Sequence, residues 1–325
     1  MAITDTSELE LITNAYFMAD GGKAQDIYTQ SSFLVNWVIK QHKGIWERPE
    51  GGDRIQIPLE YDRAVGGFYS KGESISSDDR QMIDMAYFDW KYLYENATVT
   101  RIDDLKNAGE YAKVRLVEQR IAAAQKGVGL DLGACIYDEP GASSKRFTGF
   151  GACCHTTTTT AFGGLTENGV EASDGTKPWK GNRTTTAEGI TYDVLVDLIA
   201  SAHFNTGPGG EPDFLVSTLT LWNIIKKILQ VQQRFTSSDK TASAGFKGLQ
   251  IDGKDYFPDD FAPSGWLLAI TSQCFGAAIH QDGYMKRTEW YIVPESPQDK
   301  TMKIFCDGNF VWNNRRVHAL HTNLS

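Results

Sequence analysis

Asp53–Tyr61 (DRIQIPLEY) and Ile83–Thr100 (IDMAYFDWKYLYENATVT) are the stretches whose reading decides how this chain folds. The first alternates cleanly, with Ile55, Ile57, Leu59 and Tyr61 on one side and Arg54, Gln56, Pro58 and Glu60 on the other. The second puts Phe88, Trp90, Tyr92 and Tyr94 on one face. A period of two is the mark of a half-buried strand. Between them lies a tip bearing Gly66, Gly67 and Gly72, so the pair reads as one long hairpin. A lone two-stranded hairpin is marginal in water. Strands this long and this aromatic ask for cover from elsewhere, and another subunit is the simplest supplier.

A long helix is expected to follow directly. Asp103 and Asp104 stand where a helix N-terminus favours acidic groups. Leu105, Ala108 and Ala112 lead into Val114, Val117, Ile121, Ala124 and Val128, whose spacing of three and four makes one apolar stripe. Glu110, Lys113, Arg115, Glu118 and Arg120 lie off it. The stripe is expected to face the subunit's own core. From Asp104 to about Tyr137 such a helix spans ~50 Å, although Gly127, Gly129 and Gly133 weaken its second half.

The remaining chain reads as a strand–helix mixture. Residues 1–45 form an arm whose strongly apolar part is Ser31–Ile39, with Ser31 or Ser32 as the N-cap of a short helix. Pro140 to Glu188 is rich in Gly, Thr and Ser, and its tract Thr156–Thr160 is β-prone or extended. Residues 190–204 read as an amphipathic helix that Gly207-Pro208-Gly209-Gly210 breaks. Phe214–Ser217 reads as a short buried strand, Leu219–Val231 as another helix, and Leu249–Ile251 and Trp266–Thr271 as short strands. Strand-like segments alternate from Trp290 to His321. Without βαβ regularity, the class is α+β.

Composition narrows the function. With 41% hydrophobic and 22% charged residues over 325 positions, the chain is globular rather than disordered. No apolar run approaches the ~20 residues of a membrane helix, and Met1–Glu10 lacks a secretory pattern. Both point to a reducing cytosol and no membrane. Five cysteines are too few and scattered for a disulfide framework. Cys153, Cys154 and His155 are adjacent, which is not metal spacing, and His318 and His321 face opposite ways in an extended segment. No nucleophile elbow, zinc-helix, phosphate-loop or dinucleotide fingerprint occurs. We therefore expect no catalytic residues, no metal and no cofactor. The net charge of −9 opposes a dedicated nucleic-acid binder. The basic pairs Lys145-Arg146 and Arg315-Arg316 read as solvated surface or ion pairs.

In order of parts the chain resembles the major capsid proteins of tailed double-stranded DNA bacteriophages. The segments that carry the likeness are Gly52 to Tyr61, the Gly67-Phe68-Tyr69 tip, and Ala86 to Lys91. The Gly163-Gly164-Leu165 turn leading to Trp179 and the closing Gly308-Asn309-Phe310 also belong to it. The resemblance implies the Hong Kong 97-type coat fold: an N-arm (1–45), an extended E-loop hairpin (46–100), a P-domain with a spine helix (101–185), an A-domain (186–284) and a C-terminal return to the P-domain (285–325). It implies a subunit that assembles through pentamers and hexamers into an icosahedral shell around packaged DNA. Expected partners are other copies of itself, portal, scaffolding and decoration proteins, and DNA through non-specific contact. The expected location is the virion, with the host cytoplasm before assembly. Tyr61, Phe68, Tyr69, Lys71, Phe88 and Trp90 are the expected intersubunit contacts of the hairpin, and Lys71 is a formal candidate for the crosslink some family members make. An encapsulin-type compartment shares the fold and is the nearest alternative. An oligomeric enzyme with a dimerising hairpin is the alternative from another class.

Overall fold

The computed structural model describes residues 32–75, 77–102, 110–139, 144–204, 209–233, 249–294 and 296–325. Most of the expected arm (1–31), together with Asp103, Asp104, Leu105 and Ala108, lies outside the described residues, as do the side chains of Ala112 and Val114. The first half of the described chain carries β1 (Ile45–Glu47), β2 (Arg54–Glu60), β3 (Ile83–Asp89), β4 (Lys91–Val99) and the helix α1 (Glu110–Tyr137). Next come β5 (Asn182–Thr184), α2 (Tyr192–Ala202), β6 (Phe214–Ser217) and α3 (Leu219–Gln233). The last part is strands with one short 3-10 turn (Ser272–Cys274): β7 (Leu249–Ile251), β8 (Lys254–Pro258), β9 (Leu267–Ile270), β10 (Phe275–Arg287), β11 (Tyr291–Val293), β12 (Ser296–Trp312) and β13 (Ala319–His321). The architecture is α+β.

These strands make three sheets. One has six strands in the order β5-β13-β9-β6-β8-β7; another runs β1-β10-β12-β11 with β4 also on β12; the third is β2 with β3 alone. The chain divides into two compact units.

The larger unit comprises Ser31–Leu93, Asp131–Tyr284 and Cys306–Ser325. Its six-stranded sheet is built on β6 and β9, which are apolar except for Ser217 and buried at every position, as expected of strands covered on both faces. Thr191 caps α2 by accepting the Val194 N–H at 3.3 Å. Leu195, Leu198, Ile199 and Ala202 of α2 then pack with Leu221, Trp222 and Ile225 of α3 in one core cluster. A second core is aromatic: Phe150, Phe275, Phe310 and Trp312 pack in tilted and edge-on pairs at centroid distances from 4.5 to 6.0 Å.

Two expectations fail in this unit. Arg315, read as surface, is buried, because its guanidinium donates to the backbone oxygens of Cys153 (2.8 Å) and His155 (2.6 Å) and lies over the Phe162 ring. Thr156–Thr160, read as β-prone or extended, enters no strand, and Thr158 and Thr159 stand in a turn.

The smaller unit comprises, among described residues, Tyr94–Leu130 and Met285–Phe305. Thr98 and Thr301 bond through their hydroxyls at 3.0 Å, and Asp299 accepts the Arg101 N–H at 3.2 Å. Lys303 lies between the rings of Tyr94 (5.3 Å) and Tyr291 (6.0 Å). The α1 stripe is buried unevenly: Val117 and Ile121 are half-buried, while Ala124 and Val128 are buried.

The helix reaches Tyr137 as read, and in the larger unit Leu132, Ile136 and Tyr137 continue the buried face. None of its three glycines breaks it, and two of them, Gly127 and Gly133, are contact points, while a Cβ on Gly129 would meet nothing within 4 Å. A Cβ on Gly127 would stand 3.0 Å from the Glu95 carboxyl carbon, and one on Gly133 3.0 Å from the Phe261 ring.

The expected second hairpin strand is in fact two strands. Only Ile83–Asp89 pairs with β2, in seven residue pairs from Arg54–Asp89 to Glu60–Ile83. Trp90 falls outside either strand, its indole N–H donating to Gly52 O at 2.9 Å, and β4 goes on to pair with β12.

Candidate functional site

The base of the hairpin is seated on its own subunit. Ile55, Ile57 and Leu59 of β2 and Ala86 and Phe88 of β3 are all buried, in strict alternation on β2 with exposed neighbours. Their seat is a two-residue turn. Phe162 and Leu165 exchange backbone hydrogen bonds of 2.9 and 3.2 Å around Gly163 (φ 59°) and Gly164 (φ 74°). Both central residues thus need the left-handed region, where glycine costs least. Gly163 O accepts the Tyr87 N–H at 2.8 Å, and a Cβ on Gly163 would press to 3.2 Å from Ala86 Cβ. The Trp179 indole donates to Phe162 O at 3.0 Å and fixes the turn from behind.

Above the base the strands are clasped. Tyr61 N–H donates to Met82 O at 2.9 Å, the last rung before the tip. The Asp62 carboxylate accepts Ser173 N–H and Oγ–H, both at 3.0 Å, and faces Arg80 at 3.4 Å. Partial desolvation pushes this carboxyl upward. The hydrogen bonds from Arg63 and Ser173, with the Arg80 charge, outweigh it and hold the pKa below the ordinary carboxylate value.

Beyond the clasp the chain is without strand and open to solvent. Phe68 is fully exposed, Tyr69 and Ile75 are each 69% exposed, and Val65 is exposed too. The end is a compact turn, in which Ser70 N–H donates to Glu73 Oε2 (2.8 Å) and Glu73 N–H to Ser70 O (3.0 Å). Single exposed apolar side chains are ordinary. Four such side chains fall within eleven residues here, a local cluster rather than scattered single ones.

The expected contact residues therefore separate. Phe68, Tyr69 and Lys71 lie on the exposed tip. Tyr61 is half-buried at the clasp, and Trp90 is half-buried at the root with its ring 5.8 Å from His280. Phe88 is corrected. It is 3% exposed, with its ring 5.6 Å from Phe162 and 6.1 Å from Trp312, and is taken up inside the subunit. Among the described residues, cover for the inner face of the base comes from this chain, while Ile83 and Met85 on its outer face and the apolar side chains of the tip are exposed.

The Gly163-Gly164 seat had a legible signal, a glycine pair between apolar residues. The Asp62–Ser173 clasp had none, since one carboxylate 111 residues from its partner leaves no pattern.

The other histidines and cysteines are held by local partners. His318 Nδ1 accepts the Thr271 N–H at 3.3 Å, and burial pushes the ring's pKa down to about 4. His321 Nε2 lies 2.7 Å from Glu188 Oε1. Cys153 and Cys154 are buried, and burial drives the Cys153 thiol well above its ordinary value. Among the described residues no group of three or more His, Cys, Asp or Glu side chains could hold a metal ion.

No protein-family model matches the chain, and no curated protein matches it by sequence. Solved structures do. The capsid asymmetric unit of cyanophage A-1(L) superposes with a TM-score of 0.70 at 10% identity, covering 93% of this chain and 95% of that one. The capsid of an empty GTA particle gives 0.61 at 14% identity, covering 92% and 99%. The chain has the Hong Kong 97-type coat fold. The encapsulin SrpI of Synechococcus elongatus PCC 7942 also matches this coat fold, with a TM-score of 0.57 at 12% identity, covering 100% and 97%. Coverage is near-complete on both sides, so the likeness is one of whole chains.

Proposed function

We propose that the chain is the major capsid protein of a tailed double-stranded DNA bacteriophage, assembling through pentamers and hexamers into an icosahedral shell. The observation that carries this reading is a hairpin anchored at its base by its own core and bare, apolar and turn-closed at its tip. Such a tip gains burial only against another copy, and closed symmetric assembly supplies one for every subunit. In this reading residues 1–45 are the N-arm, 46–100 the E-loop, 101–185 the P-domain with α1, 186–284 the A-domain and 285–325 the return. Tyr61, Phe68, Tyr69, Lys71 and Trp90 are its intersubunit contacts.

Portal, scaffolding and decoration proteins are its further partners, with the host cytoplasm its place before assembly. Contact with DNA is weak and non-specific, because a net charge of −9 leaves local cations to neutralise phosphates. The subunit has no catalytic role. A shell that encloses protein is the less favoured second reading, resting on the likeness to an encapsulin at a TM-score of 0.57 against 0.70 for the cyanophage capsid; DNA against protein inside purified particles separates the two. Sedimentation of purified protein tests the shell itself. Particles far heavier than one 36.1 kDa chain are expected, and a monodisperse monomer at high concentration across salt conditions would overturn it.

A further inference from the structure

A cavity of about 510 Å³ opens at the root of the hairpin, within the larger unit. Leu59, Tyr61, Trp179 and Phe204 give it apolar and aromatic walls, while Glu60 and Arg316 bring one charge of each sign. Phe204 is 46% exposed and Tyr61 half-buried, so both rings still have surface to cover. The Arg316 guanidinium lies over the Phe204 ring, 4.6 Å from its centre, a cation–aromatic pair already present in the wall. These groups select against a charged occupant. A carboxylate or phosphate would meet Glu60, and an ammonium would meet Arg316. A neutral aromatic ring suits both, because its body packs on other rings and its face tolerates a cation.

We propose that this cavity receives the Phe68 ring of a second copy of the chain. Among the described residues Phe68 is the most exposed large apolar side chain. It stands on a turn-closed tip, a convex shape for a concave seat, and the volume lies within the range of pockets that enclose small groups. Phe68 does not fill the cavity of its own subunit. The Tyr61–Met82 rung and the Asp62–Ser173 clasp stand between the two, and the ring is left in solvent. Each subunit thus carries one knob and one hole on different surfaces. That is the arrangement a head-to-tail contact needs, and repeated by a rotation it closes a ring. The inference rests on the shell reading and deepens it by naming the seat of the tip.

The test uses the full-length chain with the photoreactive substitution Phe68→benzoylphenylalanine, assembled and then irradiated. The expected result is a peptide pair joining position 68 to residues 58–61, Trp179 or Phe204 of another copy, absent from unassembled subunits. Links to any other surface would overturn the proposal and leave the shell reading intact. Failure of the unaltered protein to form particles would overturn both. Should the photoreactive variant not assemble, Phe68→Ala and Phe204→Ala decide, since both side chains are exposed and both variants should keep a cooperative melt. Each should raise the concentration needed for assembly by roughly tenfold, and the double variant by little more than either alone. Losses that simply multiply would show that the two rings do not meet and overturn the proposal.

Discussion

Phe68 and Phe88 are the same residue type on one hairpin, twenty positions apart, with opposite surroundings. Phe88 fills an aromatic core, and its truncation to Ala should cost about 3–5 kcal/mol of subunit stability in chemical denaturation. Phe68→Ala should leave subunit stability within about 0.5 kcal/mol and weaken assembly instead. If the two effects were exchanged, the division between seated base and free tip would be wrong.

His318 gives a second test at this scale. Its buried ring titrates near 4 in the folded protein against an ordinary 6.5, so between those values the unfolded chain binds the extra proton. Its contribution is intact above about pH 6.5 and is lost as pH falls towards 4, amounting to about 3 kcal/mol. A His318→Gln variant should show a flatter dependence of the denaturation midpoint on pH across that window. An unchanged slope would place the acid sensitivity elsewhere. The surroundings of His318 were not legible in the sequence, because its burial depends on Thr271 and Phe150, far along the chain.

At the scale of elements, the alternation of Arg54–Glu60 was enough to give a strand and its buried face. The end of its partner was not legible, because Trp90 continues the aromatic alternation while its indole bonds back to Gly52. The pairing of β4 with β12, two hundred residues away, leaves no local trace. In α1 the three-and-four spacing located the stripe, but not how deeply each residue sits. Val128→Asp, at a position with no exposure, should abolish folding. Ile121→Asp, half-buried, should give soluble protein with a lowered melting temperature, and equal loss in both would mean the stripe is buried along its length.

The tip follows the same logic. Replacing Val65–Ile75 by a short Gly-Ser turn removes no core contact and spares the Asp62–Ser173 clasp, as exposed tips tolerate. A cooperative melt is expected, together with failed or aberrant shells. Unfolding would make the tip part of the core, and normal shells would remove it from assembly.

For the whole molecule, the alternation of strands and helices without βαβ order was enough for an α+β class. The order of arm, hairpin, long helix and mixed sheet carried the likeness to coat proteins. Residue identity did not, as matches at 10 to 14% identity make plain. Coat folds hold their shape through which face is buried, and many sequences satisfy one pattern of burial. A net charge of −9 per subunit opposes bringing many copies together, and salt shortens the reach of that repulsion. The extent of assembly should therefore rise between about 10 mM and 150 mM salt. The measurement that bears most directly on the shell is electron microscopy of the purified full-length protein at near-physiological salt. Closed, icosahedral particles built of pentamers and hexamers are expected; isolated subunits or small open oligomers in their place would contradict the shell.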